Sequence, residues 1–327
     1  MPEKSYLEAI RDGIREEMQR DSRVMILGED VGAKGGVFGV TDGLQKDFGE
    51  WRVLDSPLAE SCIVGVAIGA ALNGMRPIAE IQFQDFIMPA VDQIISEAAK
   101  MRYRSNGDWS VPMVVRSPFG GGVHGALYHS QSIEAIFCHI PGLRVVVPST
   151  PYDAKGMIVA ALRDPDPVMY FEHKRAYRAI KGEVPEGDYV VSLDRASTVR
   201  EGADIAVFSY GMMVHTVLDA VERLVPDGFQ CEVVDLRSLR PLDRDAIVAS
   251  ARKCGKVLVV QEANLAVSVA SEVAAIIAED CFEQLDAPVM RLGGPEIPAM
   301  PYSPPLEKFY LVTADKVEKS LRELAAY

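Results

Sequence analysis

Residues 54–83 read LDSPLAESCIVGVAIGAALNGMRPIAEIQF. The apolar and small residues of 57–73 form one unbroken helical pattern, and the run 76–83 after the Asn-Gly pair has the composition of a strand. Helix followed by strand is one arm of a βαβ crossover, and the alternation continues in both directions. RVMILGED (23–30), VPMVVRSP (111–118), LRVVVPST (143–150) and PVMYFEH (167–173) are further short runs rich in Val and Ile, bounded by Gly, Pro, Ser or charge. Such runs are what strands buried on both faces require. Helical patterns at 4–20, 88–103, 130–138 and 151–163 lie between them. The predicted architecture is α/β, a parallel sheet with helices on both faces.

Residues 181–202 (KGEVPEGDYVVSLDRASTVREG) are polar, carry Pro and Gly, and lose the pattern. A second alternation follows: DIAVFSYG, a helix over 212–225, QCEVVDLRSLRP, a helix over 243–252, KVLVVQEA, a helix over 267–283, and APVMRLGG. The expected organisation is therefore an α/β domain over 1–185, a linker over 186–202 and a smaller α/β domain over 203–327. No repeat or low-complexity run interrupts it.

The composition, 48% hydrophobic and 25% charged, is that of a globular protein. A net charge of −13 opposes a general affinity for nucleic acid, whose phosphates demand clustered Lys and Arg. The most apolar stretch, 63–72, is about half of what a bilayer needs, so no membrane span is expected. The N-terminus is charged and amphipathic rather than a signal peptide. Five scattered cysteines without a CxxC pair predict reduced thiols and a cytoplasmic location.

Parallel sheets place ligands beyond the carboxyl ends of their strands, which directs attention to five segments. In LGEDVG (27–32), Glu29 ends a strand before a Gly-rich loop and reads either as a ligand contact or as a turn cap. In the stretch 54–74, Ser56 reads as an N-cap and Pro57 as the first helical residue, with Glu60 in the first turn. On position alone Glu60 could merely complement the helix dipole. In EIQFQDFIMPAVDQI (80–94), Gln82 and Phe86 read as a slot for a flat ring, or as a loop cap and a core ring. SPFGGGVHGALYHSQSIEAIF (117–137) is too glycine-rich and polar for core. Its His124 and His129 lack a third ligand for a metal, and a histidine at the start of the following helix would suit neutral-imidazole acid–base work. FEHKRAYR (171–178) is a basic cluster that reads as a solvated loop, an anion site or a subunit contact.

Together these segments resemble one family. PLAE, EIQFQDFIMPAVDQI, AAKMRYRS, GGGVHGALYHSQSIEA and PSTPYDAKG are similar, in this order, to β subunits of the decarboxylase component of branched-chain 2-oxo acid dehydrogenases. The resemblance runs from LGEDVG to GGPEIPAMPY. It implies a thiamine-diphosphate-binding (pyrimidine-type) domain followed by a transketolase C-terminal-like domain. It also implies decarboxylation of 3-methyl-2-oxobutanoate and its homologues, with transfer of the acyl group to the lipoyl group of an acyltransferase core.

Carried over by residue, Glu60 matches the glutamate that bonds the aminopyrimidine N1′ of thiamine diphosphate. A carboxyl group there favours the tautomer whose exocyclic nitrogen takes the thiazolium C2 proton. Gln82 and Phe86 match residues that line and stack on the pyrimidine, with Leu58, Ala59, Ile87, Met88 and Pro89 beside it. Phe86 stands where relatives often carry Tyr. His129 matches the active-site histidine that moves protons or guides the lipoyl group, and Glu29 a residue near cofactor and substrate. A potassium site is implied at Ala161, Asp164 and Asp166, although Val114 replaces a threonine ligand. Val267 and Ser268 replace a Gly-Gly pair common in relatives, predicting a local backbone change.

Family enzymes clamp the diphosphate through Mg2+ with a GDG motif and a later Asn, and no GDG occurs here. The resemblance therefore implies an α subunit that holds the diphosphate and Mg2+, in a tetramer of two α and two β chains, active only together. Two other readings stand beside this one. The first is a pyruvate or acetoin dehydrogenase β subunit. The second is a non-catalytic assembly subunit, against which the intact set Glu60, Gln82, Phe86 and His129 argues.

Overall fold

A computed structural model describes all residues, 1–327. Contacts divide the chain into two compact units, one made of Met1–Phe119 with Ile136–Leu193, the other of Gly120–Ala135 with Asp194–Tyr327. The division near 193 falls inside the polar stretch 186–202. The excursion of 120–135 into the second unit has no counterpart in a linear reading of the sequence.

In the first unit, β1 (Glu3–Ser5) pairs antiparallel with β8 (Lys181–Glu183). The main sheet contains β2 (Val24–Gly28), β3 (Val53–Asp55), β4 (Arg76–Glu80), β5 (Val114–Phe119), β6 (Arg144–Val146) and β7 (Val168–His173). These strands lie in the order β6-β7-β5-β4-β2-β3, all parallel. Every residue of β2, β5 and β7 is buried, as strands covered on both faces must be. Strand β3 was not among the expected elements; three residues are too short to show a period.

Helix Tyr6–Arg20 starts at a capping box formed by Ser5 and Glu8 and buries Tyr6, Ile10, Ile14 and Met18. It packs on helix Pro151–Arg163. Gly13 permits the close approach, since a Cβ there would lie 2.7 Å from Ile158 Cγ2. The helix expected over 88–103 is broken. Residues Met88–Ala90 form a 3-10 turn, Gln93–Glu97 a π-helical turn, and only Met101–Arg104 returns to α geometry after a further 3-10 turn. Pro89 in the first turn and the wide turn at 93–97 account for the interruption.

In the second unit, β9 (Ser197–Arg200), β10 (Ile205–Ser209), β11 (Cys231–Asp235), β13 (Val257–Asn264) and β14 (Met290–Gly294) form a sheet in the order β14-β13-β10-β11-β9; strand β12 (Ser238–Arg240) is not part of it. Only β9 runs antiparallel. Helices Met212–Glu222, Arg244–Cys254 and Val269–Asp280 connect these strands. Asp243 caps the second and Ser268 the third. Helices Pro304–Tyr310 and Ala314–Ala325 complete the chain beyond the predicted elements. No helix is long and apolar enough to cross a membrane.

Candidate active site

Strands β3, β2 and β4 are neighbours, so the residues just past their carboxyl ends share one edge of the first unit. They are Ser56–Glu60 after β3, Glu29 after β2, and Ile81–Gln82 after β4. The chain order reverses between β2 and β4, the place where such sheets open a crevice. There Gln82 Nε2 donates to the Glu29 carbonyl at 3.4 Å.

Glu60 is the first residue of helix Glu60–Leu72, and its N-cap is Ala59, not the expected Ser56. Ala59 brings no side-chain hydrogen bond to the helix start. Ser56 donates its backbone N–H to the Gly28 carbonyl at 2.9 Å, and its hydroxyl is buried without a hydrogen-bond partner. The helix start thus has no side-chain cap, and Glu60 stands half-buried in its first turn. The helix packs on the turn Met88–Ala90. Leu58 is 71% exposed and Met88 52%, while Ile87 is buried and Pro89 exposed. Phe86 is half-buried and meets the ring of Phe83 edge-on at 5.6 Å. Exposed apolar side chains beside a half-buried ring, a carboxyl group and an amide fit a flat, partly polar heterocycle. By this test the residues suit an aminopyrimidine.

Beneath that edge lies a buried ion network that the sequence reading missed. Arg116, on β5, donates through Nη1 to Glu80 Oε2 at 2.5 Å, and through Nε and Nη2 to Glu172 at 2.5 and 2.7 Å. The Tyr177 hydroxyl donates to Glu172 at 2.6 Å. Burial pushes the Glu80 carboxyl up against the pull of Arg116. Burial also opposes the charge on Arg116, but the two carboxylates outweigh it and hold the guanidinium charged. Most of FEHKRAYR is thus interior: Glu172, His173, Lys174 and Tyr177 are buried, and Arg175 and Arg178 are exposed.

The residues named for potassium are spoken for. Arg76 Nη1 donates to the Leu162 and Asp164 carbonyls at 2.8 and 3.2 Å. The Asp164 carboxylate pairs with Arg144 at 2.9 Å and Asp166 with Arg102 at 2.5 Å. The Ala161 carbonyl accepts from the Asp164 N–H. Three guanidinium groups and two carboxylates thus share this segment, whose carbonyls already accept hydrogen bonds.

His124 and His129 belong to the second unit. His129 closes the 3-10 turn Ala126–Tyr128 and is half-buried; it is not at the start of the next helix, which begins at Glu134. His124 Nδ1 lies 2.6 Å from Glu307 Oε2. Glu134 is buried and accepts from the Tyr210 hydroxyl at 2.5 Å. Burial pushes its carboxyl up to about 7, with the Tyr210 hydrogen bond opposing and nearby Glu262 adding. The expected Gly-Gly position holds Val267 at φ 49°, 93% exposed, followed by the capping Ser268.

Comparison with known proteins places the chain among characterised families. Residues 3–180 match the model of the transketolase pyrimidine binding domain, and 194–317 that of the transketolase C-terminal domain. The chain is 64% identical to a 2-oxoisovalerate dehydrogenase subunit beta of Bacillus subtilis, covering 99% of both chains. It is 47% identical to a pyruvate dehydrogenase E1 component subunit beta of the same organism, over 97% of this chain and 99% of that one. Among solved structures, a split-gene transketolase described as an inactive beta4 tetramer matches with a TM-score of 0.80 at 22% identity, over 98% of each chain. That likeness speaks to fold alone. The class is the transketolase-type thiamine protein. Within it, the chain belongs to the family of 2-oxo acid dehydrogenase β subunits.

Proposed function

We propose that this chain is the β subunit of the decarboxylase component of a branched-chain 2-oxo acid dehydrogenase. In the overall reaction the bond between carboxyl and carbonyl carbon of 3-methyl-2-oxobutanoate or a homologue breaks and CO2 leaves. The acyl carbon is oxidised as the lipoyl disulfide of an acyltransferase core is reduced and acylated. The observation that carries this reading is Glu60 at an uncapped helix start, on the edge shared with Glu29 and Gln82.

Thiamine diphosphate, when bound, supplies the nucleophilic carbon and the electron sink that loss of CO2 requires. In this reading Glu60 holds a proton at the pyrimidine N1′, Gln82 and Glu29 orient the ring, and Phe86 stacks on it. Leu58, Ala59, Ile87, Met88 and Pro89 exclude water around it. His129 moves a proton or positions the lipoyl group during acyl transfer. The diphosphate and Mg2+ belong to an α subunit, in a tetramer of two α and two β chains that is active only as a whole. A potassium ion at Ala161, Asp164 and Asp166 would share their oxygens with Arg76, Arg102 and Arg144. All five cysteines are free thiols, which accords with a cytoplasmic location.

The test is 2-oxo-acid-dependent dye reduction, with thiamine diphosphate and Mg2+, by this chain alone and co-expressed with its α subunit. Activity is expected only in the mixture, and highest on 3-methyl-2-oxobutanoate. Glu60→Gln should lower it at least about a hundredfold, the scale of a lost acid–base group. Preference for pyruvate would overturn the substrate but not the chemistry; undiminished turnover by Glu60→Gln would overturn the catalytic assignment.

A further inference from the structure

The loop that carries His129 has a composition that cannot hold one shape unaided. Gly120, Gly121, Gly122 and Gly125 leave its backbone free, and ordering each such residue costs more entropy than ordering any other. Yet His124 and Ala126 stand at φ 55° and 56°, in the left-handed region that side chains avoid. Such conformations persist where the surroundings over-determine them.

The surroundings here are two buried carboxylates of the second unit. Glu262, near the carboxyl end of β13, accepts from the Gly121 N–H at 2.6 Å and from the Ser132 hydroxyl at 3.3 Å. One oxygen thus joins the entry of the loop to its exit, where the Gly120 N–H also donates to the Gln131 carbonyl at 3.0 Å. Glu307, in helix Pro304–Tyr310, accepts from the N–H groups of Gly122 and His124 at 3.0 and 3.1 Å through Oε1, and faces His124 Nδ1 with Oε2. Both carboxylates are almost wholly buried. Hydrogen bonds from main-chain N–H groups to an ionised carboxylate are among the stronger kind. The left-handed turn at His124–Ala126, gripped by Glu307 on its leading side, folds Gly125 back against His129: a Cβ at 125 would lie 2.7 Å from the His129 carbonyl oxygen.

We propose that Glu262 and Glu307 are positioning residues, which hold the loop 120–132 closed on the second unit so that His129 is presented in one orientation for acyl transfer. This rests on the role given to His129 above, and the test separates the two. Glu262→Ala and Glu307→Ala are made in the complex with the α subunit, alone and together with His129→Ala, with Glu307→Gln as the conservative variant. Each Ala variant should slow acylation of lipoamide by roughly 10- to 100-fold, the scale of a misplaced reacting group. The loss should shrink to less than about threefold in the His129→Ala background, because residues acting through one another are not additive. Glu307→Gln, which still offers an oxygen to the two N–H groups, should recover most of the rate. Hydrogen exchange of the amides at 120–132 should quicken in the Ala variants while that of β10 and β13 stays as in the parent.

Unchanged exchange of the loop, or fully additive losses, would overturn the proposal. If His129→Ala itself leaves acylation intact, the assignment of His129 fails, and the exchange measurement alone then decides whether Glu262 and Glu307 close the loop.

Discussion

Arg116 and Glu172 are joined by two parallel hydrogen bonds in the middle of the first sheet, almost wholly shielded from water. The guanidinium also reaches Glu80 on the opposite strand, so one cation ties β4, β5 and β7 together two residues before Gln82. A buried pair adds little over a well-packed apolar set, but losing one partner strands the others. Arg116→Met leaves two buried carboxylates without their cation and should destabilise the chain by about 3–5 kcal/mol. Denaturant unfolding of the complex measures it. Glu80→Gln, which leaves the Arg116–Glu172 pair in place, should do much less; equal losses would mean that the three groups do not act as described.

Glu134 gives a pH dependence whose sign follows from its burial. Its carboxyl is raised from 4.5 to about 7 in the fold, so the folded state holds a proton that the unfolded chain releases above its ordinary value. The stabilisation is complete below about pH 4.5 and is lost as the pH rises through 7, on the order of 3 kcal/mol. Its second oxygen is buried without a hydrogen-bond partner, which penalises the ionised form most. Glu134→Gln, still able to accept from Tyr210, should flatten the fall in stability between these limits and be the more stable form at pH 8. An unchanged slope would assign the effect elsewhere.

Val267 is a β-branched residue in the left-handed region with its side chain in water. It makes the strain without a packing return. Val267→Gly should stabilise the protein by roughly 0.5–1 kcal/mol, the strain relieved less the extra entropy of glycine. The Ser268 capping box should be untouched. A lower melting temperature in the variant would show that Val267 contributes something its exposure hides.

Gly125 has an ordinary φ of −80°, so its requirement for glycine is spatial and not conformational. A methyl group would press on the His129 carbonyl and on its Cβ, 2.7 and 2.9 Å away. Gly125→Ala should cost about 1–3 kcal/mol of stability, as overpacking does. It should reduce lipoamide acylation more than dye reduction by the assembled enzyme. Proportional losses in both assays would place the effect on folding instead.

The parallel strands were legible because each is a short Val- and Ile-rich run that ends on a turn signal. The positions of Glu29, Glu60 and Gln82 at strand ends followed from that. The cap at Ser56 was misread, since a good capping residue and a following proline are common in extended segments too, and here the helix waits three residues longer. The Arg116 network left no trace in the pattern: its members lie 36 and 56 residues apart, and a charged residue inside a β-run looks like an interruption. Glu262 could have been found by the rule that found Gln82, as it lies near the carboxyl end of β13. Glu307 could not, because its role depends on which unit the glycine loop joins.

That loop's membership has a consequence for how such a protein can be divided. The two family models meet between 180 and 194, as if a single cut there would yield two modules. But residues 120–135 leave the first unit, are fastened by Glu262 and Glu307, and return. A fragment ending at 193 would carry the histidine loop with none of the carboxylates that shape it. A fragment beginning at 194 would keep the carboxylates and lose the loop they fasten. Recombination between relatives at that boundary would therefore have to exchange the loop along with the C-terminal half, or else preserve both glutamates on one side and the glycines on the other.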